Sequence, residues 1–420
     1  MESLTVSEAV AANGMRLVEL PVSGRLATAI SVVFPAGARH EGAGEVGAAH
    51  LLEHLAFKGT EGYPTASELN RAAEYLGTEL EGISTTDYVE FSTVVRAESA
   101  MAAAELLTDL AARPRLAEAD VDSERTVILQ EIADADEDPG SRADDLLTGA
   151  LFAGHRLATS VAGARTDVEE LTHAALLGFR ERQWSPSAGL VAVAGNVDHL
   201  DRARLTELIG RIPDRPPPPP PPSLPPFAAR TALEQREGSV VHLRLAYQVQ
   251  GLDFRLRRDR AVAEVFSQLV AGPMGSRLFD ELREQHSLCY WVDAGVSGYE
   301  DQACLFVGCS VSRADLNETY ERIGAVLDGL RTDGPSDEEA RRFRAYSSGA
   351  VALSFESVSA RVDHATELIM EYGDHAVDPI LLLRQIESVT RSDIAELAAR
   401  IDPRPCIGCV GPTGNADFAV

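Results

Sequence analysis

The chain has 420 residues, of which 45% are hydrophobic and 25% charged, so its composition is that of a folded protein and excludes a disordered one. Its formal net charge of -27, from 65 acidic and 38 basic residues, argues against nucleic acid or an anionic membrane surface as a partner. Basic peptides would be attracted, although an excess of surface acid also serves solubility alone.

The length exceeds the size at which one core usually keeps growing, so we expect at least two domains. The sequence starts without a basic segment followed by an apolar run, and it contains no stretch of about 18 apolar residues, which predicts a cytoplasmic protein without a membrane span. Five cysteines without a secretory signal predict reduced thiols. Cys406 and Cys409 have the spacing of half a zinc knuckle, but no second pair shares it, which favours core cysteines.

The first half of the chain mixes strand and helix patterns. Runs rich in valine and isoleucine predict strands at 16–22, 27–37 and 189–195, and the stretch 78–95 predicts two more. Helical patterns occupy 45–57, 66–76, 97–112, 118–136 and 166–182, and a further helix follows the last strand.

A proline-rich segment, "PDRPPPPPPPSLPPFAAR", separates the halves and predicts a stiff polyproline II spacer. Such segments also recruit partner domains, but a position between two globular patterns favours a linker. We therefore predict a first domain at 1–213, a linker at 214–229 and a second domain at 230–420.

The second half repeats the rhythm of the first. It predicts strands at 240–249, 288–296 and 302–311, helices at 255–270 and 276–285, then four helices and a strand at 405–412. Both halves place a helix before a pair of strands, which indicates a duplicated domain. Strands grouped in meanders predict an α+β class, with helices packed on antiparallel-rich sheets.

Two histidines and a glutamate occupy five residues of the apolar helix at 45–57. Helical geometry puts His50 and His54 about 40° apart on one face, with Glu53 about 60° to the other side of His50. Two imidazoles one turn apart can bind a single zinc ion, and Glu53 could then reach a water beside it. The alternative is a pair of hydrogen-bonded core histidines.

A zinc site needs a third protein ligand, and a helical stretch downstream offers two carboxylates. Glu124 and Glu131 are seven residues apart, so they project from one helix face, which would also carry Val127 and Ile128 into the core. Carboxylates on an apolar face are costly to bury unless they are paired or bound to a metal.

The pattern His-x-x-Glu-His resembles the inverted zinc motif of the pitrilysin, insulinase and mitochondrial processing peptidase family, the inverzincins. Between His54 and Glu131 lie 76 residues (55–130), the family's spacing to its third ligand. The resemblance implies that His50, His54 and Glu131 bind zinc, that Glu53 is the general base and that Glu124 orients the ligands. It implies a zinc metalloendopeptidase of the short, two-domain, processing-peptidase-like branch.

The resemblance continues past the linker in "MGSRLFDELREQHSLCYWV", where it implies that Arg283 and Tyr290 bind the peptide substrate. Where the family often has Asn-Ala in a cleft strand, this chain has Glu81 and Gly82. Glu81 would favour a basic substrate residue, or it is a solvated surface carboxylate.

The family's longer members enclose peptides in a chamber of four domains, so a two-domain chain implies a chamber built from two chains. Both sets of site residues are present, which favours a homodimer, although a heterodimer with a related subunit stays open. Two further questions stay open. The enzyme could be dedicated to one precursor or leader peptide, or it could degrade unfolded peptides in general. The chain could also be a non-catalytic subunit with a structural or chaperoning role.

Overall fold

The computed structural model describes residues 6–299, 302–414 and 418. Packing divides the chain into two compact units, and each unit combines segments that are distant in sequence. The first unit comprises Met1–Ala133, Ser160–Ser223 and Ser354–Ile380. The second comprises Asp134–Thr159, Leu224–Leu353 and Leu381–Val420. The class is α+β, as predicted, with one mixed sheet and packed helices in each unit.

The sheet of the first unit has six strands, in the spatial order β1-β2-β6-β3-β5-β4. Their bounds are β1 Ser7–Val10, β2 Arg16–Pro21, β3 Ala27–Phe34, β4 Glu81–Ser84, β5 Val89–Arg96 and β6 Leu190–Gly195. Strands β2 and β6 pair in parallel and the other neighbours are antiparallel. The five predicted strands are confirmed, and β1 was not predicted. Strand β4 is an edge strand, so one side of its backbone has no neighbour within this sheet.

Helices cover both faces of this sheet. The helices that begin in the first half of the chain are α1 Ala48–Ala56, α2 Ala66–Tyr75, α3 Ala100–Ala112, α4 Glu118–Glu137, α5 Pro139–Leu151, α6 Arg165–Glu170, α7 His173–Gln183 and α8 Arg202–Ile209. The larger core lies on the face covered by α1 and α3, where Phe34 and Trp184 stack with ring centroids 5.4 Å apart. A smaller apolar cluster lies on the opposite face, beneath a helix from the second half of the chain.

Two helix predictions in this region need correction. The single helix predicted at 166–182 is broken between α6 and α7, because Leu171 has extended backbone and the Thr172 side chain caps α7 by accepting a hydrogen bond from the Ala175 amide. Helix α5 was missed, although Asp138 and Pro139 form a start signal: the Asp138 carboxylate accepts from the Ser141 amide, and proline suits the first helical position.

The sheet of the second unit has five strands, in the order β7-β11-β8-β10-β9. Their bounds are β7 Thr231–Gln235, β8 Val240–Val249, β9 Cys289–Tyr299, β10 Gln302–Ser312 and β11 Cys406–Gly411. Only β7 was not predicted. Strands β7 and β11 pair in parallel, and the other neighbours are antiparallel.

The helices of the second half are α9 Arg257–Ala271, α10 Arg277–Phe279, α11 Leu316–Asp333, α12 Asp337–Ser354, α13 Val358–Met370, α14 Pro379–Glu387 and α15 Arg391–Ala399. Helix α10 continues as a π-helical turn, Asp280–Gln285. Five helices follow β10 within the described residues, where four were predicted. No helix of the described chain is long and apolar enough to cross a membrane.

Helix α5 comes from the first half of the chain but packs on the sheet of the second unit, and α13 comes from the second half but packs on the sheet of the first unit. Helix α5 packs on β11, β8 and β7, and α13 packs on β6, β3 and β2. The compact units therefore differ from the linear division at 1–213 and 230–420 by these two segments. Where the folding domains begin and end stays a prediction.

All five cysteines are buried and none forms a disulfide, which confirms the prediction of core cysteines. Cys406 and Cys409 both lie in β11, and residues three apart in a strand point to opposite faces. The pair therefore cannot bind one ion together.

Candidate metal centre

The N-terminus of α1 is held by a buried carboxylate. Glu41 accepts hydrogen bonds from the amides of Gly47, at 2.9 Å, and Ala49, at 2.8 Å. These are amides that a helix leaves without internal partners, and a negative charge there also suits the helix dipole. Gly47 has φ of +90°, and a Cβ there would lie 2.8 Å from the carbonyl oxygen of Ala162, so glycine is required.

Helix α1 brings the two predicted histidines together. Their Nε2 atoms are 3.2 Å apart, and the rings meet edge to face at 4.6 Å. Glu131 on α4 approaches both: its Oε2 lies 3.7 Å from Nε2 of His50, and its Oε1 lies 3.8 Å from Nε2 of His54. The three side chains that were predicted as ligands therefore converge on one point.

The spacing of these atoms fits a zinc ion. A tetrahedral site with metal–ligand distances of about 2.1 Å has neighbouring ligand atoms about 3.4 Å apart. The observed separations of 3.2, 3.7 and 3.8 Å bracket this value. The donor set of two imidazole nitrogens and a carboxylate oxygen is typical of catalytic zinc sites.

The protonation of His50 also suits a metal ligand. Burial, with a smaller contribution from the neighbouring His54, lowers the pKa of His50 to about 4. At neutral pH its imidazole is therefore uncharged, and a nitrogen lone pair is available for a cation.

Glu53 lies beside the two histidines but is more deeply buried, with 9% of its surface exposed. One of its oxygens lies within 4.8 Å of a ring nitrogen of each. Burial raises the pKa of Glu53, and the nearby Glu131 raises it further, while His54 and a hydrogen bond from Ser84 act in the opposite direction.

The space for Glu53 is provided by strand β4. A Cβ on Gly82 would lie 2.9 Å from Cδ of Glu53 and 2.6 Å from Cε2 of Phe57, closer than real carbon atoms approach. The residue type that departs from the family pattern thus makes room for the carboxylate.

Glu124 is buried as predicted and faces the back of His54. Its Oε2 lies 3.4 Å from Nδ1 of His54, and its Oε1 forms an ion pair with Nζ of Lys58 at 2.8 Å. Ile128 is buried on the same face, but Val127 is 44% exposed, so its predicted core position is wrong. Val127 lies about 90° from the buried stripe of the helix, since each residue rotates by about 100°.

Arg283 and Tyr290 belong to the second unit. The Arg283 guanidinium lies over the ring of Tyr290, 4.9 Å from its centroid, and over that of Phe279 at 4.8 Å. Both predicted residues line a cavity of about 690 Å³ between the π-helical turn and the ends of β8, β9 and β10. Tyr290 is 79% exposed, so it is available to a ligand.

Sequence reasoning missed Glu41, Lys58 and the role of Gly82. Glu41 and Lys58 flank the histidine motif, eight residues or fewer from α1, but which charged neighbour faces the site depends on how the loops at both helix ends fold. Gly82 differs from the family pattern in the sequence, but the reason for a glycine there, its close packing against α1, is visible only in the structure.

Two family models match the chain. The model of the insulinase family, peptidase family M16, matches residues 23–165, and that of the peptidase M16 inactive domain matches 170–347.

Related sequences cover nearly the whole chain. An uncharacterized zinc protease of Mycobacterium tuberculosis is 29% identical over 413 residues, which are 96% of this chain and 92% of the relative. An uncharacterized zinc protease of Bacillus subtilis is 24% identical over 405 residues, 96% of this chain and 97% of the relative.

Solved structures share the fold. A crystal structure of a peptidase M16 inactive domain from Pseudomonas fluorescens superposes with a TM-score of 0.86 at 18% identity, covering 98% of this chain and 99% of that one. A protease from Helicobacter pylori has a TM-score of 0.84 at 18% identity, with 98% and 100% covered. Because the two family models together match most of the chain, the protein belongs to peptidase family M16, the insulinase family.

Proposed function

We propose that the protein is a zinc-dependent endopeptidase that cleaves unfolded peptides or precursor and leader peptides. The convergence of His50, His54 and Glu131 at 3.2 to 3.8 Å carries this proposal, since three such donors have the separations of tetrahedral zinc ligands. Relatives named as zinc proteases along the whole chain support it.

His50, His54 and Glu131 would hold the ion. Bound zinc supplies Lewis-acid polarisation of the scissile carbonyl and makes a coordinated water more acidic. Glu53 is the general base: its carboxylate stands beside the two imidazoles, where it takes the proton of the attacking water and then delivers it to the leaving amine.

The substrate would bind as an additional strand. Strand β4 is the edge of its sheet and contains Gly82, next to Glu53, so an extended peptide can pair with its free backbone groups close to the candidate metal centre. Glu81 is exposed on the same strand and favours a basic substrate side chain. Arg283 and Tyr290 would bind the peptide or stabilise the developing oxyanion.

We further propose that two copies of the chain form a closed chamber as a homodimer in the cytoplasm, with a heterodimer as the competing arrangement. The presence of both the histidine motif and the Arg283–Tyr290 pair in one chain supports the homodimer, because a second copy then supplies every predicted group.

The test measures zinc content and cleavage of an unstructured peptide library. We expect about one zinc per chain and cleavage that Glu53→Gln reduces by several orders of magnitude without loss of zinc. Glu74→Gln, which changes an exposed carboxylate on α2, is the matched control and should behave as wild type. A chain that binds zinc but cleaves nothing would favour a structural or chaperoning subunit.

A further inference from the structure

Lysine is nearly absent from this chain. Of its 38 basic residues, 37 are arginine and one, Lys58, is lysine. Arginine is the cation in exposed ion pairs such as Arg211–Glu207 and Arg204–Glu105, and the composition as a whole strongly disfavours lysine. The presence of lysine at one position despite this bias indicates that arginine cannot replace it there.

Lys58 stands directly behind the candidate metal centre, just after the end of α1. Its backbone amide donates to the carbonyl of Leu55 at 3.1 Å. Gly59 follows with φ of +136°, and a Cβ there would lie 2.7 Å from the carbonyl oxygen of Pro64, so the chain turns at a residue that must be glycine. The turn fixes the backbone of Lys58, whose side chain is two-thirds buried.

The ammonium group of Lys58 binds one oxygen of Glu124 and leaves the other oxygen for His54. Nζ lies 2.8 Å from Oε1 of Glu124, while Oε2 lies 3.4 Å from Nδ1 of His54. Glu124 is 10% exposed, so an unpaired charge on it would be costly. A carboxylate at Nδ1 accepts its proton and leaves the lone pair of Nε2 directed at Glu131 and His50.

The two histidines differ in the hydrogen-bond partners of their Nδ1 atoms. Nδ1 of His50 is buried and has no hydrogen-bond partner in the part of the chain that the structure describes. The orientation of the imidazole pair therefore depends on the His54 side, through Glu124.

The geometry explains why lysine is required. An ammonium is a compact point charge that can bind a single carboxylate oxygen, whereas the planar guanidinium of arginine prefers to bind both oxygens of a carboxylate. Arginine at this position would compete with His54 for Oε2 of Glu124.

We propose that Lys58 is a positioning residue that holds Glu124 against His54 and thereby strengthens zinc binding. The inference rests on the proposed function, because it assumes that His54 is a zinc ligand. It concerns the affinity of the site for the metal, which can be measured without any substrate.

The first test measures zinc affinity of the full chain by competition with a chelator. Lys58→Met and Lys58→Arg should each weaken zinc binding by about 10- to 100-fold, the usual effect of removing a partner of a ligand. Arg211→Met, which breaks an exposed ion pair with Glu207 on α8, is the matched control and should stay within about twofold of wild type. Thermal unfolding of the metal-free chains identifies variants that fail to fold.

The outcomes separate the two proposals. If the wild-type chain binds no zinc, the proposed function fails. If wild type binds zinc and Lys58→Met binds it equally well, only the role of Lys58 is overturned. Wild-type affinity in Lys58→Arg would refute the argument that a single-oxygen contact is needed.

The single lysine permits a second test without mutation, because amine-directed reagents can modify only Lys58 and the chain's N-terminus. Acetylation removes the charge of Lys58, while reductive dimethylation keeps the charge and one N–H donor. We expect acetylation, confirmed at Lys58 by mass spectrometry, to weaken zinc binding by tenfold or more and dimethylation to change it by only a few fold. Lys58→Arg chains treated with the same reagents control for modification of the N-terminus.

Substitution of cobalt for zinc adds a spectroscopic signature. If Lys58 positions His54, the visible absorption bands of bound cobalt should shift in the Lys58→Met and acetylated chains and not in Arg211→Met. Identical cobalt spectra in all of them would contradict the proposal.

Discussion

Glu90 allows a prediction about how the stability of the first unit depends on pH. It lies on β5, is 4% exposed, and is therefore a carboxyl group in the interior of the fold. Burial raises its pKa from 4.5 to about 7, and the neighbouring Asp363 on α13 and Glu81 on β4 raise it further, while Ser31 on β3 acts in the opposite direction. The phenol of Tyr88 also faces this group.

The direction in which stability changes with pH follows from the number of protons that the folded and unfolded chains bind. Between pH 4.5 and 7 the unfolded chain has Glu90 ionised, while the folded chain keeps it protonated, so folding takes up a proton. The stability that the neutral form contributes is fully present below pH 4.5 and is lost as the pH rises through about 7. A difference of 2.5 pKa units (7 minus 4.5) corresponds to about 3 kcal/mol.

The variant Glu90→Gln keeps the shape of the protonated side chain but cannot ionise. At pH 5 its free energy of unfolding should lie within about 1 kcal/mol of the wild-type value, and at pH 8 it should exceed the wild-type value by up to about 3 kcal/mol. Other titrating groups contribute equally to both proteins, so the difference between them isolates Glu90.

The chain's two tryptophans provide the assay. Trp184 is buried in the first unit, and Trp291 lies on β9 of the second. In a Trp291→Phe background, urea unfolding followed by fluorescence reports on the first unit alone. Glu74→Gln is the control and should show no pH-dependent difference. A difference between Glu90→Gln and wild type that stays constant within about 0.5 kcal/mol from pH 5 to 8 would refute the reasoning.

Three further predictions concern the candidate site and the assembly. Gly82→Val should lower kcat by about 100-fold or more with zinc content unchanged, because its side chain would displace the Glu53 carboxylate by about 1 Å; a wild-type kcat would contradict this. Glu41→Ala should destabilise the first unit by about 2 kcal/mol, since two helix amides lose their acceptor, and unchanged urea unfolding of that unit would count against the capping role. Inactive Glu53→Gln and Arg283→Ala chains should complement each other when co-expressed and recover roughly a quarter of wild-type sites if each site is shared by two chains. Mixed dimers that are confirmed by mass spectrometry but remain inactive would show that Arg283 does not act across the interface.

The sequence by itself determined the local geometry of the candidate site. Residues four apart in a helix share a face, so the adjacency of His50 and His54 followed from the helical pattern alone. The strands were also predictable, because short runs rich in valine and isoleucine favour strands, and β3, β6 and β11 are buried along nearly their whole length. The break between α6 and α7 depended on a single capping residue, Thr172, which a periodicity argument does not register.

Contacts between distant segments were decided only by the tertiary structure. The spacing of Glu124 and Glu131 put them on one helix face, but their approach to α1 was expected from the family resemblance and not from local pattern. The ion pair of Lys58 with Glu124 and the space that Gly82 leaves for Glu53 depend on the packing of α1 against α4 and β4.

The same limit applies to the fold. An amphipathic pattern shows that one face of α5 or α13 must be buried, but not which sheet will bury it. Helix α5 packs on β7, β8 and β11, and α13 on β2, β3 and β6, each joining the unit built mainly from the other half of the chain. The physical reason is that burial of apolar surface is non-directional: it specifies how much of a helix leaves water, while shape and chain connectivity select the partner.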